Sequence, residues 1–460
     1  MNWHNKRVTI MGLGSYRDGS GISATRFLLD QGAQLTVTDL KTADQLAPQI
    51  KRLGRRATRI NFILGRHRIS DFKNADLIVR NPSVPNTSKY LAIAVKNQIP
   101  IETDISLFFQ LIDRKRIIGI TGTRGKSTTT TLIYEILKLI DRWAVLGGNI
   151  TKSPLAQMSK VTKGGPVALE LSSWMLESLA PHQISPYISV FTNIYPDHLN
   201  TYRDIDDYVA AKENIFLGQN IQDWTILNRD NFFTRKSGAK TPGRRMWFSL
   251  KEFSEENGCF VRGKNIYCRL NGKEKRILSL TDIKIPGEHN RANVLAAISG
   301  ALAYGAPITV IRKAVKNFKG VPNRLELLRT VKGVNYYNDT TSTTPEATMA
   351  ALQSLGDAKQ KKIILIAGGS DKGLDFNALA REIKKYCRQV IFLSGIGTDR
   401  LKQLVTPAAE VASMTEAVNL AQQFAASGEI ILLSPACASF GLFNNEFDRG
   451  DQFRRAVKKL

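Results

Sequence analysis

Residues 119–130, GITGTRGKSTTT, place Gly122 and Gly125 ahead of a lysine and a serine. Glycines let backbone N–H groups turn inward around phosphate oxygens, and a helix starting there adds the positive end of its dipole. Lys126 would reach the outer phosphates of a nucleotide, and the Ser127 hydroxyl would bind Mg²⁺. Gly122, Thr123, Arg124, Gly125, Lys126, Ser127 and Thr128 are therefore the candidate phosphate cradle. The strict motif asks for glycine at position 120, where isoleucine stands, so this loop is a variant with Gly122 set closer in.

Other chemistry-bearing residues lie downstream. Glu170 sits inside the apolar run VALEL. A carboxylate there is costly unless it pairs with a cation or binds a metal, and Mg²⁺ is the sharper of those readings. His198 stands beside Asp197 in NIYPDHL, where a neutral imidazole can bind metal or orient a phosphate. Lys212, in YVAAKENIF, falls between apolar helical positions, where a lysine ordinarily snorkels to water. NDTTSTTPEAT, AGGSDKG and SPACASF each follow a strand-like run. Open α/β sheets bind ligands at such ends, so Asp339, Lys372 and Ser439 are candidates, with simple turn chemistry as the alternative. Near the start, Gly12 and Gly14 fit the first two glycines of a dinucleotide fingerprint, Arg17 replaces the third, and Asp39 ends the next strand.

The elements that must position these residues alternate. RVTIMGLG, SATRFLLDQGA and QLTVTDL read as strand, helix, strand, and DLIVR continues the pattern. RIIGIT leads into the phosphate loop, and Leu132, Ile133, Ile136, Leu137 and Ile140 share one helical face behind it. PVALEL, YISVFTNI and WTILN follow as strands, and residues 245–285 read as short alternating strands with Gly and Asn turns. NYYND, KIILIAGG, VIFLSG and IILLSP form a third alternating unit. The expected fold class is α/β with three domains: Rossmann-like over 1–112, a central mononucleotide-binding ATPase domain with a β-rich subregion over 113–320, and a second Rossmann-like domain over 321–460.

Composition bounds the remaining options. The chain has 460 residues, 43% hydrophobic and 23% charged, which is globular and too long for one ordinary core. No apolar run approaches the roughly 20 residues that span a bilayer, and the N-terminus does not read as a signal peptide, so a cytoplasmic protein is expected. The four cysteines lack zinc-like spacing and are expected as free thiols. The net charge of +25 is spread along the chain without a basic or aromatic stripe, so no nucleic-acid partner is expected.

Taken together, TGTRGKST, LELSSW, NIYPDHL, YVAAKENIF, PGEHNRANVLAA and NDTTSTTP resemble the successive motifs of the Mur ligase family, in order and over essentially the whole chain. SPACASFGLFNNEFDRGDQF resembles the ending of its D-glutamate-adding branch. The resemblance implies an ATP-dependent amide ligase of peptidoglycan precursor synthesis, working as a monomer on ATP, UDP-N-acetylmuramoyl-L-alanine and D-glutamate. It implies two Mg²⁺ sites held by Ser127, Glu170, His198 and Lys212, the lysine carbamylated by CO₂. Asn149 would contact the muramoyl group, and Asp39 and Lys41 the uridine nucleotide. Asn290 would meet the adenine, with Asn293 in support, and Arg324 and Asp339 would reach ATP. Thr343, Lys372 and Ser439 would hold the D-glutamate carboxylates. Departures from the family pattern are Arg124 in place of asparagine, Asn323 in place of histidine, and Thr341 in place of a common lysine. A folylpolyglutamate synthase-like ligase and a nucleic-acid-binding ATPase stand as the alternatives.

Overall fold

Strands such as Ile363–Gly368, IILIAG, carry apolar residues at nearly every position and are buried along their whole length. A run of that kind suits the interior of a parallel sheet covered on both faces. Ile117–Thr121 and Trp224–Asn228 are buried in the same way. The computed structural model describes residues 2–14, 16–150, 152–197, 201–371 and 373–460. Two compact units are formed, Met1–Asp282 with Ala292–Lys316, and Ile283–Arg291 with Asn317–Leu460.

The first unit holds two sheets. One comprises β1 (Arg7–Met11), β2 (Gln34–Asp39), β3 (Ile60–Leu64), β4 (Leu77–Arg80) and β5 (Ile101–Glu102). Its order is β3-β2-β1-β4-β5, all parallel. The chain reverses direction across the sheet at β1, so the turn at Gly12–Gly14 opens onto the switch-point crevice.

The second sheet has β6 (Ile117–Thr121), β7 (Val145–Gly148), β8 (Val167–Glu170), β9 (Ile188–Phe191), β10 (Trp224–Asn228), β11 (Arg244–Ser249), β12 (Gly258–Arg262), β13 (Asn265–Leu270) and β14 (Lys273–Ser279). Its order is β14-β13-β12-β11-β10-β9-β6-β8-β7. β6 lies between β8 and β9, so the loops after all three strands meet at one end. The stretch expected as a β-rich subregion is a continuation of this sheet. β11 and β12 add in parallel, and β13 and β14 fold back antiparallel. β14 is the last strand, and its residues Lys273, Glu274, Lys275 and Arg276 are exposed.

The second unit carries β15 (Glu326–Val331), β16 (Val334–Asn338), β17 (Ile363–Gly368), β18 (Cys387–Leu393), β19 (Ala409–Val411) and β20 (Ile430–Leu433), in the order β15-β16-β20-β17-β18-β19. Here β20 lies between β16 and β17. The three polar stretches after β16, β17 and β20, far apart in sequence, therefore end side by side.

One expectation is corrected. Cys259 and Cys268 face each other across the antiparallel β12–β13 pair and form a disulfide with S–S 2.01 Å, so they are not free thiols. Cys387 and Cys437 are free and buried. Among the described residues, no helix is long and apolar enough to cross a membrane.

Candidate active site

β6 delivers the chain into Gly122–Gly125, and a helix, Lys126–Ile140, begins directly after it. Gly122 has φ +144°, and a Cβ there would stand 2.0 Å from Thr192 Oγ1. Gly125 has φ +82°, and its Cβ would stand 2.1 Å from Asn293 Oδ1. Both positions need glycine for conformation and for space. The segment after β9 braces the loop from outside. Arg124 N donates to Asn193 Oδ1 at 2.8 Å, and Thr192 Oγ1 donates to Arg124 O at 2.7 Å. Tyr195 N donates to Thr123 Oγ1 at 3.1 Å. The Lys126 ammonium lies on the loop's inner carbonyls, 2.8 Å from Gly122 O and 2.9 Å from Thr123 O. Ser127 is buried at the first turn of the helix, Thr128 is half-buried, and Arg124 is exposed. Gly122→Ala is expected to cost about 1–3 kcal/mol of stability and to abolish nucleotide-induced thermal stabilisation, read by thermal melting with and without ATP.

Beside this loop, Glu170 ends β8 and is 2% exposed. Its Oε1 accepts from Asn149 Nδ2 at 3.1 Å, and its Oε2 is buried with no hydrogen-bond partner. Asn149 N donates to Glu170 O at 2.8 Å, and Gly148 passes so close that a Cβ would stand 2.1 Å from the same carbonyl oxygen. The amide of Asn149 is thus tied to Glu170. A buried carboxylate oxygen without a donor is the feature a hard cation would satisfy, and oxygen ligands are what Mg²⁺ takes.

Lys212 sits on the helix Ile205–Leu217 and is 2% exposed, so the snorkelling expected of it does not occur. Its Nζ lies 4.6 Å from the centroid of the Tyr208 ring. Burial, followed by the charge of Lys126, pushes the Lys212 ammonium well below the usual lysine range, while Asp197 and Glu170 pull the other way. The phosphate loop, Asn149, Glu170 and Lys212 are therefore brought into one neighbourhood. His198 lies outside the described residues.

At the first sheet, Gly12 and Gly14 have φ +89° and +81°, and the Asp39 carboxylate holds the turn by accepting from Leu13 N and Lys41 N, each at 3.0 Å. Both oxygens of Asp39 are thus used on backbone, and Lys41 is exposed at the same strand end.

In the second unit, Asp339 follows β16 and is buried. It accepts from Ser342 Oγ at 2.5 Å, Ser434 Oγ at 2.9 Å and Leu325 N at 3.0 Å. Burial pushes its carboxyl up to about 6, against the opposing hydroxyl, backbone and Arg324 contributions. Arg324 itself is exposed, flanked by Asn323 and Leu325 at φ +68° and +43°. Thr343 is half-buried on the loop after β16, and Ser439 is buried on the loop after β20. These two loops touch, with Ala436 N donating to Ser342 O at 2.9 Å. Asn290 is buried in the segment 283–291, and its Nδ2 donates to Pro286 O at 2.6 Å. Lys372 lies outside the described residues.

A folded-state value of about 6, above the ordinary 3.8, means Asp339 contributes stability below 3.8 that is lost as pH rises through 6. Relative to Asp339→Asn, the wild type should therefore lose about 1.4 kcal/mol between pH 5 and pH 7.5, measured by urea unfolding at each pH.

Residues 6–103 match the N-terminal domain described as Mur ligase MurD-like, 120–301 the Mur ligase middle domain, and 323–437 the Mur ligase glutamate ligase domain. The chain is 40% identical to the UDP-N-acetylmuramoylalanine–D-glutamate ligase of a Roseiflexus species, covering 100% of each chain. The chain belongs to the Mur ligase family. A ligase of the same name from Borreliella burgdorferi is 39% identical, over 99% of this Mur ligase and 98% of its relative. Among solved structures, the UDP-N-acetylmuramate-alanine ligase of Thermotoga maritima has TM-score 0.62 at 20% identity, covering 99% of this chain and 100% of that one. That likeness speaks for the fold alone.

Several residues of this Mur ligase site escape a reading of the sequence. Thr192 and Asn193 brace the phosphate loop from the segment after β9, and Tyr208 flanks Lys212. Asn193 did lie in a stretch already notable for Asp197 and His198, which is the one signal that pointed there.

Proposed function

We propose that this Mur ligase joins D-glutamate to UDP-N-acetylmuramoyl-L-alanine with cleavage of ATP to ADP and phosphate, in peptidoglycan precursor synthesis. The observation that carries this reading is likeness over the whole chain to ligases of that name, at 40% and 39% identity. The proposed division of labour assigns 1–112 to the uridine nucleotide, 113–320 to ATP, and 321–460 to the amino acid. A monomeric, cytoplasmic enzyme fits the reading.

In the first step a carboxylate oxygen of the substrate bonds to the γ-phosphorus of ATP. The bond to the bridging oxygen breaks, ADP leaves, and an acyl phosphate remains. Two anions must approach, so positive charge is the chief catalytic demand. Lys126 and the N–H groups of residues 122–127 supply the protein's share at the phosphates. Ser127, Glu170, His198 and a carbamylated Lys212 would hold Mg²⁺ at two sites. When bound, Mg²⁺ supplies further neutralising charge. The unpartnered Oε2 of Glu170 fits that assignment. In the second step the D-glutamate nitrogen bonds to the acyl carbon, the C–O bond to phosphate breaks, and the nitrogen releases a proton.

The remaining residues position substrates. Asn149 is assigned to the muramoyl group, and Asp39 and Lys41 to the uridine nucleotide. Asn290, Arg324 and Asp339 are assigned to ATP, and Thr343, Lys372 and Ser439 to the amino-acid carboxylates. The test is ADP release and product mass with ATP, Mg²⁺ and the muramoyl-alanine nucleotide, across D- and L-glutamate and a panel of other amino acids. Amide formation restricted to D-glutamate is expected. No amide with any glutamate enantiomer overturns the reading.

A further inference from the structure

Arg449 is 0% exposed, the most deeply buried cation among the described residues of the second unit. It lies in the first turns of the helix Glu446–Lys458, whose start is capped by Asn445, with Oδ1 accepting from Phe447 N at 3.0 Å and Asp448 N at 2.9 Å. Its guanidinium donates to Thr340 Oγ1 at 3.1 Å, Thr340 O at 2.9 Å and Cys437 O at 3.2 Å. Thr340 belongs to the loop after β16 and Cys437 to the loop after β20, so one side chain stitches both. Among the described residues, no carboxylate forms an ion pair with it.

The helix is seated hard against those loops. A Cβ at Gly450 would stand 2.5 Å from Thr340 Cγ2 and 2.6 Å from Asn323 Oδ1. Thr340 Oγ1 donates to Glu446 O at 2.8 Å, and Asn338 Nδ2 donates to Gly450 O at 3.3 Å. Ala436, at φ +60°, lies in an uncommon backbone region, and its N donates to Ser342 O across the two loops.

Carbonyls and a hydroxyl can be satisfied by a neutral donor. A guanidinium instead brings a charge whose burial is costly unless something compensates it. Burial lowers its pKa only to about 10, so it remains charged near neutrality. A buried guanidinium behind two loops, offset only in part by the Glu446 carboxylate, favours whatever anion those loops admit.

We propose that Arg449 is a positioning residue for the amino-acid substrate. It fixes the loops carrying Thr343 and Ser439 in register, and it leaves them a net positive field that selects a dicarboxylate. This rests on the reading that these loops hold the carboxylates of D-glutamate.

The test uses full-length Arg449→Met and Arg449→Lys beside the wild type. Each is read for KM of D-glutamate, KM of ATP, kcat, and an amino-acid-independent ADP burst with the muramoyl-alanine nucleotide. Arg449→Met is expected to raise KM for D-glutamate at least tenfold, with KM for ATP and the burst within twofold of wild type. Arg449→Lys should fall between, and guanidinium added to Arg449→Ala should lower its D-glutamate KM. A folded Arg449→Met with unchanged D-glutamate KM overturns the proposal, as does an equal rise in KM for ATP. If Arg449→Met does not fold, Arg449→Lys is decisive by the same criterion. Failure of both to fold also overturns it, since Arg449 is then a fold residue only. Wild type that forms no amide with D-glutamate overturns the functional reading itself, which separates the two failures.

Discussion

Lys126→Ala should lower kcat by about a hundredfold to a thousandfold, the usual cost of deleting one electrostatic contact to a transition state. The expectation rests on the reaction bringing a carboxylate against a triphosphate. Lys126 is an ammonium placed by a tight glycine loop at the start of a helix, where its charge adds to the helix dipole. In the structure it rests on the carbonyls of Gly122 and Thr123, at 2.8 and 2.9 Å. It is thus poised over the loop rather than extended into solvent. Loss of the contacts to Gly122 O and Thr123 O removes bonds to local backbone within the loop. The measurement is ADP release coupled to amide formation, with a thermal melt to confirm the fold. A kcat within tenfold of wild type in a folded variant would remove Lys126 from its assigned role.

Lys212→Ala should be at least as damaging, and for a different reason. Burial and the nearby Lys126 disfavour its ammonium, so the neutral amine is accessible where an ordinary lysine would stay charged. A neutral amine can bond to CO₂ through nitrogen and release a proton, leaving a carbamate anion in place of a cation. Activity of Lys212→Ala should therefore drop about a thousandfold and recover in part with added acetate, which supplies a carboxylate to the vacated space. Full activity in CO₂-free buffer without rescue would rule the carbamate out. The same depressed pKa makes a stability statement. For such a lysine the cost begins as pH falls below the ordinary 10.5 and is complete at the depressed value, so the wild type bears it at neutral pH when the amine is unmodified. Lys212→Met should consequently melt higher than CO₂-depleted wild type while failing to turn over.

The parts of this site legible in sequence were those written locally. The phosphate loop needs its glycines, lysine and serine at fixed spacing, and Glu170 betrays itself as a carboxylate in an apolar strand. Strand-end polar stretches in the last third were visible for the same reason. Their convergence was not, because it depends on β20 inserting between β16 and β17, whose paired residues Asn335 and Ile363 both lie far upstream of Ile430. The short strands β7 and β19 carried too few residues to show a period. Its own helix makes Lys212 an ordinary snorkelling lysine, and only the family resemblance marks it as a metal-side residue, because the pattern of one helix cannot say how deeply its neighbours cover it. Cys259 and Cys268 required the register of β12 on β13. Arg449 was hidden best, since EFDRGDQFRR looks like a solvated face until Gly450 lets the helix sink onto the loop at Thr340.

The margin of the second sheet has a bearing on how this protein keeps to itself. β14 pairs with a strand on one side only, Arg312 donates to its Arg276 O and Ile277 O, and the margin beyond those carbonyls invites a strand from another copy to zip on. The tetrad Lys273, Glu274, Lys275 and Arg276 lines that border with hydrated, mixed charge, which a docking strand would have to strip of water. A variant neutralised at those four sites would be expected to polymerise along the sheet while its chemistry stayed intact.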